Sequence, residues 1–524
     1  MKPFFFRNIL PVFIFAVIIL NGAAIAQDTT KSLAFKNNRP RRNSPYYYRP
    51  DLGYQIWQQF KLIQEANEGD SFAQHELGLR YLLGEGMTVD TVKAAYWIKK
   101  AADQKLPAAM YNYGIMLFNG VGVRWNPFEA FKYFKQAANA GMAQAQYIVG
   151  ILYTDNLLVK RNYNYAYYWL EKSAGGDYKP AKSLVPQLEK HIDKAVVDSI
   201  KNITKNGQES ELTENNDKTD DDLSSPVGLV FINFDTKQDT IREIADSLLI
   251  ADLQYAAADS IVEKLKIDSL TYLSGLTEKS VGMLIELAGN GSPEAQTILG
   301  RMYELGIGFP LNKIKAVSYY FRALRLDSPK APFLLWKLSR SSGFMNEVQQ
   351  ESDKGNFEAK FVWYGLSSAG YDNRIAMSDA VNLLKSAAGS DYIPALIELG
   401  LDYYTGRFLD EDKEKGLDIW RKAASLGSLE ASVRLISASI FNDDMLVNPT
   451  DAYNKLSKAA DEGSVLAMVT LAYCNENGIG TTPSIPNAVR YYRYSAQRGS
   501  QYAYRELERL YDSIRPNDPE FSIN

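Results

Sequence analysis

The chain has 524 residues, a formal net charge of −4, two histidines and one cysteine. One thiol excludes an intramolecular disulfide framework, so stability must come from packing. The mildly acidic balance argues against a nucleic-acid partner, which needs a clustered basic surface. Two histidines leave little from which to build a zinc site or a nucleophilic triad.

At the N-terminus, Lys2 and Arg7 flank the start of an apolar stretch, Ile9 to Leu20, and Ala24-Ile25-Ala26 follows as a small-x-small pattern. This predicts a cleaved signal peptide over 1–26 and a mature chain from Gln27. The stretch is shorter than the roughly 20 residues of a membrane helix. No later segment is apolar enough to span, and no cysteine follows the signal to carry a lipid. A periplasmic or secreted place is expected, with no transmembrane span after cleavage. Residues 27–52, including RPRRNSPYYYRP from Arg39, read as a disordered basic arm.

From residue 53 the chain is periodic. Ala73, Ala109, Ala145 and Ala181 stand 36 residues apart. Gly78, Gly114 and Gly150 lie five residues after the first three, and Ile98, Phe134 and Leu170 lie 25 after. The ladder resumes at Ala295 and continues through Ala331, Ala359, Ala395, Ala431, Ala467 and Ala503, with one interval, Ala331 to Ala359, eight residues short. Apolar and small residues within a unit recur at three- and four-residue spacing, which predicts two helices of about 12 residues joined by a loop. Glycine inside a helix costs about 1 kcal/mol against alanine. Gly114 is therefore expected to face the second helix of its pair, near Ala130 and Ala137, where it lets the helices approach while Tyr133 and Phe134 pack over the seam. Gly84-Glu85-Gly86, Gly120-Val121-Gly122, Gly306-Ile307-Gly308 and Gly478-Ile479-Gly480 share one repeat position after a helix. They read as left-handed helix ends, because a dinucleotide loop would follow a strand and carry a third glycine.

Between the periodic regions, 205–238 begins as an acidic stretch without apolar period, read as a disordered linker. After PVGLVFINF, Thr240-Ile241-Arg242-Glu243 forms a capping box that opens a helix through about Lys266. A helix near Glu278 to Gly289 reads as the second half of a degraded repeat capping the next array. This predicts an all-α chain: one array over 53–204, a second with its helical cap over 239–512, and a frayed tail over 513–524.

Three segments carry a family signature: FAQHELGLRYLLGEGMTVDTVKAAYWIKKAADQK from Phe72, AAMYNYGIMLFNGVGVRWNPFEAFKYFKQAANAG from Ala108, and PEAQTILGRMYELGIGFPLNKIKAVSYYFRAL from Pro293. They resemble the Sel-one-like repeat (SLR) family, relatives of the tetratricopeptide repeat. The resemblance implies a right-handed α-solenoid that acts as an adaptor in signalling, secretion or envelope assembly. It implies a concave groove lined by first helices, to which positions plus 2, plus 6 and plus 9 after each alanine contribute. These are His75, Leu79 and Leu82; Tyr111, Ile115 and Phe118; Tyr147, Ile151 and Thr154; and, in the second array, residues including Phe361, Tyr404 and Tyr473. Packing between repeats is the alternative place for some of them. A secreted SLR subgroup with paired cysteines in each repeat is reported to bind penicillin-like compounds; that implies a hydrolase or penicillin-binding alternative, and this chain has no such pairs.

Other chemistry is sparse. His75-Glu76 has Leu79 where a zinc-protease motif has its second histidine. Gly365 to Ala369 approaches a nucleophile elbow but falls within a helical pattern. Asp198-Ser199-Ile200, Asp246-Ser247-Leu248 and Asp268-Ser269-Leu270 resemble an O-glycosylation acceptor, and also read as ordinary caps and loops. Cys474, in an apolar helical run, reads as buried filler. No cofactor or metal is expected. The sequence reading is an exported, non-enzymatic scaffold of the bacterial cell envelope that binds a protein or peptide partner.

Overall fold

The computed structural model describes residues 52–205, 278–442 and 448–523. The expected signal, basic arm, acidic linker, capping-box helix and the triplets at Asp246 and Asp268 lie outside the described residues. Every regular element among the described residues is helical. They fall into two units: one holds the helices before the linker together with residues from Leu510 onward, and the other runs from the helix after the linker to Arg509.

In the first unit, α1 (Leu52–Glu68) precedes the hairpins α2 (Ser71–Leu83) with α3 (Thr91–Asp103), α4 (Pro107–Asn119) with α5 (Pro127–Asn139), and α6 (Ala143–Leu152) with α7 (Tyr163–Gly175). Helices α8 (Lys179–Leu188) and α9 (Lys194–Lys205) follow. The second unit opens with α10 (Glu278–Gly289), then pairs α11 (Pro293–Leu305) with α12 (Lys313–Arg325), α13 (Ala331–Ser339) with α14 (Phe344–Asp353), and α15 (Phe357–Ser368) with α16 (Met377–Gly389). It continues with α17 (Ile393–Thr405) and α18 (Lys413–Ser425), α19 (Leu429–Phe441) and α20 (Pro449–Asp461), and α21 (Val465–Asn477) and α22 (Ile485–Gln497); α23 (Gln501–Asp512) closes the series.

Most second helices start where a short polar side chain 17 residues after the repeat alanine caps them; α14 and α16, which follow Gly343 and Ala376, have no side-chain cap. The side-chain Oδ1 atoms of Asp90, Asn126, Asn162, Asn312 and Asp412 accept from the backbone N–H three residues on. This answers one orphan donor of the first turn. First helices end at Gly84, Gly120, Gly306, Gly406 and Gly478, all left-handed. Where the loops carry a second glycine, two of these meet the preceding hairpin. A Cβ on Gly122 would stand 1.9 Å from the Thr91 carbonyl oxygen, and one on Gly480 2.1 Å from that of Pro449. The loop turns a corner and seats one hairpin on the last.

All eleven ladder alanines are buried, and so is the plus-25 residue wherever the ladder has one. The intrahelical glycine serves that residue. A Cβ on Gly114 would lie 2.6 Å from the Phe134 ring; on Gly300, 2.4 Å from Tyr320; on Gly400, 2.4 Å from Trp420; and on Gly78, 2.5 Å from Ile98. The expected close approach is present too, since Cβ atoms at Gly78 and Gly300 would also come within 3.0 and 3.1 Å of the Ala94 and Ala316 carbonyls. Successive hairpins are further joined where Gln74, Gln146 and Gln296 donate to the last carbonyls of the helix before, Ala66, Ala138 and Ala288. Because α10 supplies Ala288, it occupies the second-helix place expected of a degraded repeat.

The short interval at Ala331 is a whole hairpin in reduced form: a first helix of 9 residues, the turn 340–343, and a second helix of 10. With no plus-25 ring to receive, the glycine position is Trp336, which points out and is 52% exposed. The last residues, expected to fray, are instead packed. Pro519–Phe521 form a 3₁₀ turn and Phe521 is fully buried, because two aromatic side chains of α5, Phe128 and Phe131, give it a place to bury.

Substituting Gly114→Ala should destabilise the first unit by about 1–3 kcal/mol through overpacking, although helix propensity alone favours alanine by about 1 kcal/mol. Adding Phe134→Leu should make the pair less damaging than the two single losses summed. Urea denaturation of the four chains measures both, and a stabilised Gly114→Ala would show that the ring does not press on the helix.

Candidate functional site

The residues expected to line a groove divide sharply once packed. His75, Tyr111, Ile115, Phe118, Thr154 and Phe361 are buried, as are Leu79, Leu82 and Ile151, while Tyr147, Tyr404 and Tyr473 are half-buried. In the first array these side chains fill the space between hairpins. His75 Nε2 and Asn112 Nδ2 lie 2.8 Å apart across successive first helices. Tyr111 meets Phe134 at 6.0 Å, Phe118 meets the same ring at 6.4 Å, and Tyr147 meets Tyr178 edge-on at 5.1 Å. Thr154 Oγ1 donates to the Ile151 carbonyl at 2.6 Å. Burial lowers the His75 pKa from 6.5 to about 4 and raises that of Tyr111 above the ordinary phenol range. The anticipated tyrosine strip of the first array is therefore packing. The related repeat's register fails here because these side chains meet their own hairpin, as Tyr111 and Phe118 meet Phe134, or the next one, as His75 meets Asn112 and Tyr147 meets Tyr178.

In the second array Tyr404 and Tyr473 belong to a different arrangement. The Tyr404 hydroxyl accepts from Asn442 Nδ2 at 2.8 Å, and its ring lies 5.0 Å from Trp420. Beside Asn442, Phe441 closes α19 and contacts Tyr473 on α21 at 4.8 Å and Tyr502 on α23 at 6.3 Å. Phe441 and Tyr502 remain 40% and 43% exposed. The result is an oblique aromatic strip over four consecutive first helices, rimmed by Glu476, Glu506 and Arg509. Arg509 bonds both carboxylates. Phe441 and Tyr502 escaped the sequence reading because they sit at plus 10 and minus 1, outside the assumed register. The available signal was an aromatic residue at a helix end where the repeat pattern does not call for one.

A buried polar cluster also lies in this unit. Arg407 bridges Glu398 and Asp402, Arg325 Nε donates to Glu398 at 2.8 Å, and the Tyr364 hydroxyl donates to Asp402. Burial lifts the Asp402 carboxyl above its usual range. Each carboxylate has a cationic partner, so the cluster reads as an internal network spanning hairpins. Cys474 is free and buried, its thiol pushed up to about 12 by burial. The elbow-like Gly365 to Ala369 continues out of helix α15, with no strand before it. The His75 ring is engaged by Asn112.

The Sel1 repeat profile matches residues 71–106, 107–142, 143–178, 293–328, 393–428 and 465–500. The chain belongs to the Sel1-repeat family. Those matches omit the hairpins anchored by Ala331, Ala359 and Ala431, which fold as helical pairs all the same. A chitin synthase regulator, SKT5 of Malassezia restricta, is 26% identical over 169 residues, 32% of this chain and 11% of that protein. The chain thus spans about a tenth of that relative's length. Among solved structures, c5321, a protective antigen of uropathogenic Escherichia coli with an SLR fold, is 19% identical, with 88% of this chain and 91% of that one covered and a TM-score of 0.30. A Sel1 repeat protein from Oxalobacter formigenes is 33% identical, with 25% and 98% covered and a TM-score of 0.24. Sel1 repeats typically mediate protein–protein interaction, so protein partners follow from the repeats. No helix among the described residues is long and apolar enough to cross a membrane.

For His75 the sign runs one way. The unfolded ring takes up a proton near pH 6.5, while the folded ring refuses it until about pH 4. Its stabilising effect is complete above 6.5 and is lost as pH falls toward 4, by roughly 3 kcal/mol in all. The wild-type chain should therefore lose more thermal stability than His75→Gln between pH 7 and pH 4.5; equal losses would place the ring in water. Tyr111→Ala should melt early, by about 3 kcal/mol as for other large buried rings, where a groove residue would leave the melting curve unchanged.

Proposed function

We propose that this Sel1-repeat protein is an exported, non-enzymatic scaffold of the bacterial cell envelope, which captures a partner protein on the aromatic strip of its second array. The observation that carries the reading is the strip itself. Phe441 meets both Tyr473 and Tyr502 across three successive first helices, yet two of the rings, Phe441 and Tyr502, stay open to water. A repeat core does not need these rings at those positions, and contiguous exposed apolar surface on a folded chain marks an interaction site. Aromatic side chains supply much of the binding energy of protein interfaces because they bury large area at small cost in rotamer freedom. Export is supported by the basic start, short apolar stretch and Ala24-Ile25-Ala26 at the N-terminus.

Affinity capture from envelope extract with the purified chain, compared with Phe441→Ala combined with Tyr502→Ala, tests the reading. Both rings are substantially exposed, so the double variant should melt like the wild type and recover at least about tenfold less of the specific partner, the loss of roughly 1.4 kcal/mol or more expected of interface aromatics. Undiminished capture would remove the strip from the function. N-terminal sequencing of the mature chain should begin at Gln27; a retained Met1 would remove the cleaved signal.

A further inference from the structure

The residues from Leu510 onward pack on the first array as a peptide packs on a receptor. Phe521 is fully buried, edge-on to Phe128 at 5.1 Å and to Phe131 at 5.9 Å, with Lys132 Nζ 5.4 Å from its ring centre. Lys132 Nζ bonds Asp518 at 2.9 Å, and Lys135 Nζ bonds Glu520 at 2.7 Å. These cations lie one turn apart on α5 and match two carboxylates spaced by one residue. Arg515 stacks over Phe128 at 5.2 Å and donates to the Leu157 and Leu158 carbonyls, in the loop after α6, at 2.8 and 3.1 Å. Tyr511 adds an edge contact to Trp125 at 5.5 Å. None of these contacts repeats along the ladder. They use the second helix of one hairpin, and they read a short segment by one aromatic slot and two charges.

The segment leaves part of its site unanswered. Beside Ile514 a cavity of about 470 Å³ opens, lined by Tyr113, Arg124, Trp125, Asn126 and Glu129. The Trp125 Nε1–H is buried there with no acceptor, although a buried indole donor ordinarily finds one. Arg124 at the rim is exposed. A ligand built for this face would fill the slot as Phe521 does and bring an acceptor to Trp125. The chain's own tail does only the first.

We propose that this face of α5 is a docking site for a segment of a partner protein carrying two acids spaced by one residue and then an aromatic residue, and that Asp518 to Phe521 occupies it as an internal pseudo-ligand which the partner displaces. The site is in the first unit and shares no residue with the aromatic strip of the second array, so it stands or falls apart from that reading. Charge complementarity selects the partner: both ion pairs remain partly open to water, which makes them exchangeable and sensitive to salt. The buried ring supplies the anchor.

The test uses the whole chain and a fluorescent peptide of sequence SIRPNDPEFSIN. In a chain emptied by Asp518→Lys, Glu520→Lys and Phe521→Ala, the peptide should bind at least tenfold more tightly than to the wild type. Adding Lys132→Glu and Lys135→Glu should abolish the gain. Should the emptied chain fail to fold, a dye at the C-terminus of the wild type reports instead, and excess unlabelled peptide should free the dye and lower its anisotropy. No binding to the emptied chain, equal binding to emptied and wild-type chains, indifference to the lysine reversals, or an unchanged dye would each overturn the proposal. Dimers of the wild type that vanish with Phe521→Ala would also overturn it, by making a second copy the occupant.

Discussion

The constraint on which the fold rests is a single seam, where a missing side chain on one helix receives a large one from the next. At Gly114 and Phe134, Gly300 and Tyr320, and Gly400 and Trp420 the ring sits so close that a methyl group would overlap it. The glycine gives up some helix propensity and the ring gains complete burial. Since a buried aromatic side chain contributes on the order of 2–3 kcal/mol, against about 1 kcal/mol for the glycine, the exchange favours the pair. Where the plus-25 ring is absent, in the short hairpin of Ala331, Trp336 replaces the glycine and faces outward.

That seam explains why the first helices do not present the expected strip in the first array. Once rings from the second helices fill the hairpins, large residues of the first helices pack on those rings or on the next hairpin: Tyr111 and Phe118 meet Phe134, and His75 meets Asn112. The aromatic side chains left over lie where the repeat rule does not govern: at helix ends in the second array, as Phe441 and Tyr502 do, and against the face of α5 in the first, as Phe521 does. Several of the polar groups buried along the way are matched. Examples are Arg407 with Glu398 and Asp402, and His75 with Asn112.

The two aromatic surfaces differ in what they ask of a ligand. The strip over Phe441, Tyr473 and Tyr502 offers area with little charge selection, because Arg509 already answers Glu476 and Glu506. The face of α5 offers one slot and two lysines whose distances to Asp518 and Glu520 are those of charge-assisted hydrogen bonds. One suits a broad contact and the other a short motif.

How much of this was legible in the chain follows from where the information sits. The alanines at 36-residue steps, over Ala73 to Ala181, Ala295 to Ala331 and Ala359 to Ala503, determined helical hairpins and their core, including hairpins whose sequence departs from the family pattern, because small side chains at a helical-hairpin period serve helix contact. Gly120 and Gly122 likewise announced a helix end and a corner, since a left-handed residue is a local property of the backbone. Burial is not local. Whether Tyr111 or Tyr473 meets water depends on the hairpin next door, and the burial of Phe521 depends on Phe128 and Phe131, nearly four hundred residues earlier in the chain. Only the packed structure brings such pairs together, so it alone decided which aromatic rings are core, which are surface, and which hold the tail.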